Sequence, residues 1–337
     1  MNGKRELLSN LLWRLRLAQV WPRSRPNGLT ILAYHRVLDM EEEDAFPGDP
    51  ELVSASVACF RRQMVTLKRH WSPIPLVDAV KGVELGQRLP PRSVVVTFDD
   101  GHGDNYTHAY PILKELGIPA TIFLSTGYIG TDNVFWFDRV CTLFYMAPAG
   151  THRVTPLVSP VTLGSVRSRR DAAQAMLEAL KQLPDDQMRT AVAELESRFG
   201  AHAPVHKTRA ENLTWDQVRE MSRNGVHFGS HTVTHPILTR TDAEQLRHEL
   251  TASREAIERN TGQPCDILAY PVGKPYAYSR EVIETAKACG YRAALSYVDG
   301  VDDVRSADLF ALKRVSVERY YSHPLFLWRM LLPRWFV

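Results

Sequence analysis

Cysteine is scarce in this chain of 337 residues: Cys59, Cys141, Cys265 and Cys289 are widely scattered and form no C-x-x-C pair. A disulfide scaffold and the usual zinc-knuckle spacings are therefore excluded, and four reduced, buried thiols are expected. A dominant charge is lacking as well. Lys plus Arg total 41 against 38 Asp plus Glu, a net charge of +3. With no long basic run, no nucleic-acid partner is expected. Apolar runs of membrane-spanning length are missing too. What remains is an ordinary globular composition, 44% hydrophobic and 23% charged. The chain is long enough for one large core carrying an insertion.

The two ends are apolar and cationic. Leu7, Leu8, Leu11, Leu12 and Leu15 share a helical face, but Arg14 and Arg16 interrupt the run. No small-residue cleavage site precedes Trp21 and Pro22. Residues 1–27 therefore read as an amphipathic segment, neither a signal peptide nor a spanning helix, with Trp13 at its boundary. The tail 321–337 contains Leu325-Phe326-Leu327-Trp328-Arg329-Met330-Leu331-Leu332, of similar character. Packing of both ends against the body is favoured, and peripheral membrane contact is the alternative. The expected location is cytoplasmic or peripheral on the inner membrane.

Between the ends, residues 28–320 alternate strand and helix signals. Leu29–Ala33, Ser93–Phe98, Ala120–Leu124, Val226–Gly229, Ile267–Tyr270 and Ala293–Tyr297 read as short buried strands, and the Ser93–Phe98 run lacks polar alternation. Helices are expected from Val57 to about Arg69, from near Asp104 to Gly117, and from Thr214 through Arg223. Two more are expected over Asp242–Asn260 and Ser279–Cys289. Asp104 is a candidate N-cap, and Gly117 suits a left-handed helix end. From about 133 to 212 the rhythm breaks into a mostly helical insertion, with Leu183-Pro184-Asp185 between two helices. Such alternation points to a (β/α) barrel or an open doubly wound sheet.

Polar clusters fall at strand ends, where such folds carry function. Asp99-Asp100 follows the Ser93–Phe98 strand. Two adjacent carboxylates stay ionised together only with a compensating cation or hydrogen bonds; the plainer alternative is an Asp-Asp-Gly turn. Ser230-His231-Thr232-Val233-Thr234-His235-Pro236 follows another strand. Histidines four apart can reach one ion, and Pro236 argues for an irregular turn there. Asp100, His231 and His235 make an Asp-plus-two-His donor set that leaves room for water and substrate, as a catalytic metal site requires. Asp99 is then free to accept a proton.

Thr97-Phe98-Asp99-Asp100-Gly101 together with Ser230-His231-Thr232-Val233-Thr234-His235 resembles the NodB-homology polysaccharide deacetylases, carbohydrate esterase family four. The resemblance covers roughly residues 29–130 and 213–320. It implies a distorted (β/α) barrel of about seven strands and metal-dependent removal of N-acyl, less often O-acyl, groups from sugars. It also implies one divalent ion, zinc first, with cobalt, nickel or iron as alternatives. By the same resemblance Asp99 is the catalytic base, and Asp100, His231 and His235 are the metal ligands. The backbone N–H of Val272 corresponds to the oxyanion donor.

Two positions depart from the family pattern. Ala269-Tyr270-Pro271-Val272-Gly273 carries Ala where the family has an Arg that orients the base, with Lys274 a candidate substitute. No Leu-x-His segment occurs near the C-terminus, where only His323 is available as general acid. Leu32-Ala33-Tyr34-His35-Arg36-Val37 instead resembles the permuted arrangement of poly-N-acetylglucosamine deacetylases, which makes His35 the favoured acid. Tyr270 and Trp136 are candidate substrate-lining residues, and Phe137 accompanies Trp136 as a sugar-stacking or insertion-anchoring residue. The expected partner is an N-acetylated glycan. A lipid-linked sugar and a non-catalytic carbohydrate-binding relic remain as alternatives.

Overall fold

The computed structural model describes residues 27–40, 46, 48–154, 157–158, 160–203 and 212–331. Seven strands dominated by aliphatic and β-branched residues form its centre: β1 (Gly28–Tyr34), β2 (Ser93–Phe98), β3 (Ala120–Leu124), β4 (Val226–Ser230), β5 (Ile267–Ala269), β6 (Ala293–Asp299) and β7 (Leu312–Ser316). They pair in parallel in the order β1-β7-β6-β5-β4-β3-β2. The β2 strand then returns to β1 in a register running from Leu29 opposite Ser93 to Tyr34 opposite Phe98. The sheet is therefore a closed seven-stranded parallel barrel, and closure removes the edges that an open sheet would expose. Every residue of β2 and β3 is buried, as strands walled by helices on the outside and by side chains within must be.

The helices start where the sequence supplies caps. In α1 (Val57–His70) the Ser56 side chain accepts the Cys59 N–H. In α7 (Trp215–Arg223) Thr214 and Gln217 form a reciprocal capping box, and Asp242 caps α8 (Ala243–Thr261). The remaining outer helices are α2 (Leu76–Glu84), α3 (Tyr110–Leu116) and α9 (Arg280–Ala288). Gly117 ends α3 in the left-handed region at φ 63°. The Asp104 side chain does not cap the turn that follows it. Its carboxylate is taken by Arg36 Nε at 2.8 Å and the Val37 N–H at 2.9 Å, because a buried guanidinium competes more strongly than a helix end. The chain there makes one wide π-turn, Asn105–Ala109, before α3 begins.

Between β3 and β4 lie α4 (Trp136–Met146), α5 (Val166–Leu180) and α6 (Asp185–Phe199). This block has its own apolar cluster, including Phe144, Met176, Leu195 and Phe199, distinct from the clusters around the barrel. At the other end α10 (His323–Leu331) follows β7. Leu325, Phe326, Leu327, Trp328 and Met330 are all buried, so this part of the tail is covered by the protein itself and presents no apolar face to a membrane. Residues 1–26, which contain the leucine-rich face, lie outside the described residues. No helix among the described residues is long and apolar enough to cross a membrane. The cysteines are unpaired, but only Cys141 and Cys265 are buried, while Cys59 and Cys289 are half-buried.

The helix side of the barrel is held by aromatic packing. Phe60 of α1, wholly buried, meets Tyr34 of β1 edge-on at 5.3 Å and Phe98 of β2 at 5.8 Å. Phe60→Ala is expected to lower stability by about 3–5 kcal/mol, from lost burial plus the cavity it leaves. The check is urea unfolding followed by fluorescence and circular dichroism.

Candidate active site

Where β2 ends, the backbone must turn sharply to present two carboxylates at the barrel mouth. Asp100 adopts φ 75° and Gly101 φ 87°. A Cβ at Gly101 would lie 2.8 Å from Leu124 and 2.9 Å from Ile129, so glycine is required there for space as well as for conformation. After β4 the chain makes an irregular turn with Thr232 at φ 70° and His235 at φ 58°, and after β5 Val272 sits at φ 62°. Arg92 apart, these four are the non-glycine residues with positive φ among those described. Backbone strain is thus gathered at the mouth, as in sites where the fold over-determines a functional geometry.

The strained turns bring Asp100, His231 and His235 together. Their ligating atoms all lie within 4.8 Å of one another, with His231 Nε2 and His235 Nε2 each 3.5 Å from Asp100 Oδ1. Ala269 O lies 2.7 Å from His231 Nδ1. The carbonyl requires a proton on that nitrogen, which leaves the Nε2 lone pair facing Asp100. Burial and then the neighbouring His231 push His235 down to about 3, so this imidazole is neutral. Burial pushes the Asp100 carboxyl up. Contact with His102, 3.3 Å away, and the nearby imidazoles outweigh it and hold Asp100 below the ordinary carboxylate range. Both Asp100 oxygens are buried without a well-formed hydrogen bond, Oδ2 having only the His102 contact. A carboxylate with two orphaned oxygens, facing two electron-pair donors, fits a divalent cation of the zinc type.

Asp99 is held differently. Its Oδ1 accepts from Arg314 Nη1 at 2.7 Å, with both groups buried, while His35 Nε2 stands 4.0 Å from Oδ2. Burial raises the Asp99 carboxyl, but Arg314, assisted by His231 and His35, more than compensates and holds it below its usual range. Arg314 is itself fixed. Its Nε donates to Ser296 O at 2.9 Å, and its guanidinium lies over the Tyr297 ring at 5.2 Å. Asp99 therefore has an arginine partner, though not from the Ala269 position. Lys274 does not substitute for it: this exposed side chain donates to Tyr297 O at 3.2 Å.

These groups open into a cleft of about 320 Å³ whose walls include Val272, Tyr297, Trp136, Leu177 of α5 and Lys181 just past its end. His35 lines the cleft, with its ring 5.6 Å from Tyr297. His323 lies at the start of α10, its Nε2 3.3 Å from Thr66 Oγ1, and is not part of the cleft wall. Tyr270 forms part of the wall, yet its ring stacks on Tyr278 at 4.6 Å and its hydroxyl donates to Phe310 O. Its side chain belongs to the core, so its contribution to the wall does not offer a free hydroxyl. Phe137 packs edge-on against His235 at 5.2 Å, which ties the insertion to the histidine turn.

Fold and site together define a closed (β/α) barrel with a buried Asp-His-His cradle beside an arginine-held carboxylate. The polysaccharide deacetylase family signature matches residues 86–294, and the chain belongs to that family. YxkH of Bacillus subtilis (strain 168) is 24% identical over 226 residues, 67% of this chain and 52% of that protein. The poly-beta-1,6-N-acetyl-D-glucosamine N-deacetylase of Staphylococcus epidermidis is 37% identical over 114 residues, 32% of this chain and 39% of that protein. The matches thus span about half or less of these relatives' length. Among solved structures, the Streptococcus pyogenes deacetylase PplD in complex with acetate superposes with a TM-score of 0.61 at 20% identity. That match covers 90% of this chain and 99% of that one, and it establishes likeness of fold.

The cradle makes a direct expectation. The purified, metal-stripped chain should take up about one equivalent of zinc, and His235→Ala should lose tight uptake while keeping its far-UV circular dichroism. Calorimetric titration of both proteins is the check. Unchanged zinc uptake by His235→Ala would remove this residue from the ligand set.

Proposed function

We propose that the protein hydrolyses N-acetyl groups from an N-acetylated glycan, with poly-N-acetylglucosamine the favoured class, in a metal-dependent reaction. The observation that carries the proposal is the Arg314–Asp99 pair beside the Asp100, His231 and His235 cradle, all opening into one cleft. Family membership supports the reaction class, and the name of the Staphylococcus relative supports the sugar. The absence of arginine at position 269 favoured a non-catalytic relic; Arg314 at Asp99 takes away that support.

Asp100, His231 and His235 would hold the ion, which when bound supplies Lewis acidity toward an amide carbonyl and acidifies water. The other roles belong to the chain's own groups. Asp99, kept ionised by Arg314, accepts the proton of the attacking water. The Val272 N–H, on the cleft wall, donates to the oxyanion that develops on the acetyl oxygen. His35, nearest the Asp99 oxygen that Arg314 does not hold, gives a proton to the departing sugar nitrogen. The products are acetate and a free amino sugar. Burial of Asp99 and Asp100 strengthens each of these electrostatic terms by keeping bulk water away.

Asp99→Asn should lower kcat for acetate release from N-acetylglucosamine oligomers by about a hundredfold or more, with zinc uptake close to parental. Parental turnover in that variant would exclude Asp99 as the base. Arg314→Ala should reduce kcat less severely. Because Arg314 holds the Asp99 carboxyl down, its loss lets burial raise that carboxyl, and the acid limb of the kcat/KM profile moves to higher pH. An unmoved acid limb would show that Arg314 does not control the ionisation of the base.

A further inference from the structure

The turn carrying the two cradle histidines is tied to the segment after β3, where the Thr126 N–H donates to Thr232 O at 3.0 Å and the Gly127 N–H to Val233 O at 2.8 Å, yet Thr232 and His235 both lie in the left-handed region. Internal bonds account for part of its shape. Thr232 Oγ1 accepts the His235 N–H at 3.1 Å, and Ser230 Oγ accepts the Thr232 N–H at 3.1 Å. The apex is held from outside the barrel by a residue of α8. Glu249, 2% exposed, accepts the Val233 N–H at 2.7 Å and the Thr234 N–H at 2.9 Å through Oε2. Its Oε1 accepts the Thr234 hydroxyl at 2.6 Å.

A buried carboxylate whose bonds all go to one five-residue turn is a clamp rather than a ligand, since both oxygens face that turn. A basic residue of the insertion reaches the same threonine. Arg189 of α6 donates to Thr234 Oγ1 at 2.8 Å, and Asp185 accepts both Arg189 Nε and Gln245 Nε2 at 2.7 Å. Ser253, one turn further along α8, meets Ser230 Oγ at 2.7 Å. The histidine turn is therefore gripped at its apex and at its root by a single helix, and braced from the side by another.

We infer that Glu249 is a positioning residue of the metal cradle: by clamping the apex N–H groups of Val233 and Thr234 it sets His231 and His235 at the spacing that one ion requires. Without it, two backbone donors at the apex lose their acceptor, and the strained conformations keep only the bonds at the root and side of the turn. This role rests on the cradle reading given under the proposed function.

The test is zinc affinity of the full chain, measured by competition with a chromophoric chelator. Glu249→Ala, with far-UV circular dichroism retained, should weaken zinc binding by about 10–100-fold, the range found when a ligand's supporting contact is lost. Glu249→Gln should bind within a few-fold of the parent, because one amide oxygen can accept both N–H groups while its NH2 reaches the Thr234 hydroxyl. A purely structural role would lower thermal stability without moving the affinity of the folded protein. Parental affinity in folded Glu249→Ala, or no recovery in Glu249→Gln, overturns the role. If Glu249→Ala does not fold, Glu249→Asp decides: it keeps the charge and withdraws the acceptor by one methylene, so weaker binding supports the clamp and unchanged binding overturns it. A parent that takes no zinc defeats the cradle itself and the clamp with it; unchanged variants of a zinc-binding parent defeat the clamp alone.

Discussion

Closure of the barrel is the constraint on which the rest depends. With β1 wedged between β2 and β7, residues 215 positions apart in the chain, Asp99 and Arg314, become neighbours in a dry interior. An open sheet would leave β2 at one edge, with β1 and β7 at the other, and Asp99 without its cation. A buried carboxylate lacking a partner takes up a proton, so the topology sets the ionisation of the carboxylate. Architecture and acid–base chemistry are here one question.

A second consequence of the same geometry is the placement of strain. Regular strands carry the load in the wall, and the awkward conformations fall where strands have just ended, at Asp100, Thr232, His235 and Val272. Each is compensated locally. Gly101 makes room beside Asp100. Tyr297 donates its N–H to Gly273 O at 2.7 Å next to Val272, and the helix α8 braces the histidine turn. A rigid wall with strained rims lets side chains from four strand ends converge without disturbing the core.

Six of the seven barrel strands were legible as aliphatic runs, and the chemistry at their ends was legible because the Asp pair and the spaced histidines are compact in sequence. The seventh strand was not. Three of the five residues of Leu312-Lys313-Arg314-Val315-Ser316 are charged or polar, so it carries no buried-strand signature, and that composition concealed the partner of Asp99. Arg314 could not be inferred from periodicity, since its reason for being inside is a carboxylate two hundred residues upstream. Asp104 misled for a related cause: a residue well suited to capping was claimed by the buried Arg36. Local signals failed where a long-range charge pair competed with them, and the seven-strand count came from family likeness alone.

Position 269 shows how a scaffold can shed one duty and retain another. Its side chain is a methyl group that offers Asp99 no donor, but its main-chain oxygen holds His231. No replacement at 269 deletes that oxygen, so the imidazole's orientation is insulated from genetic drift there.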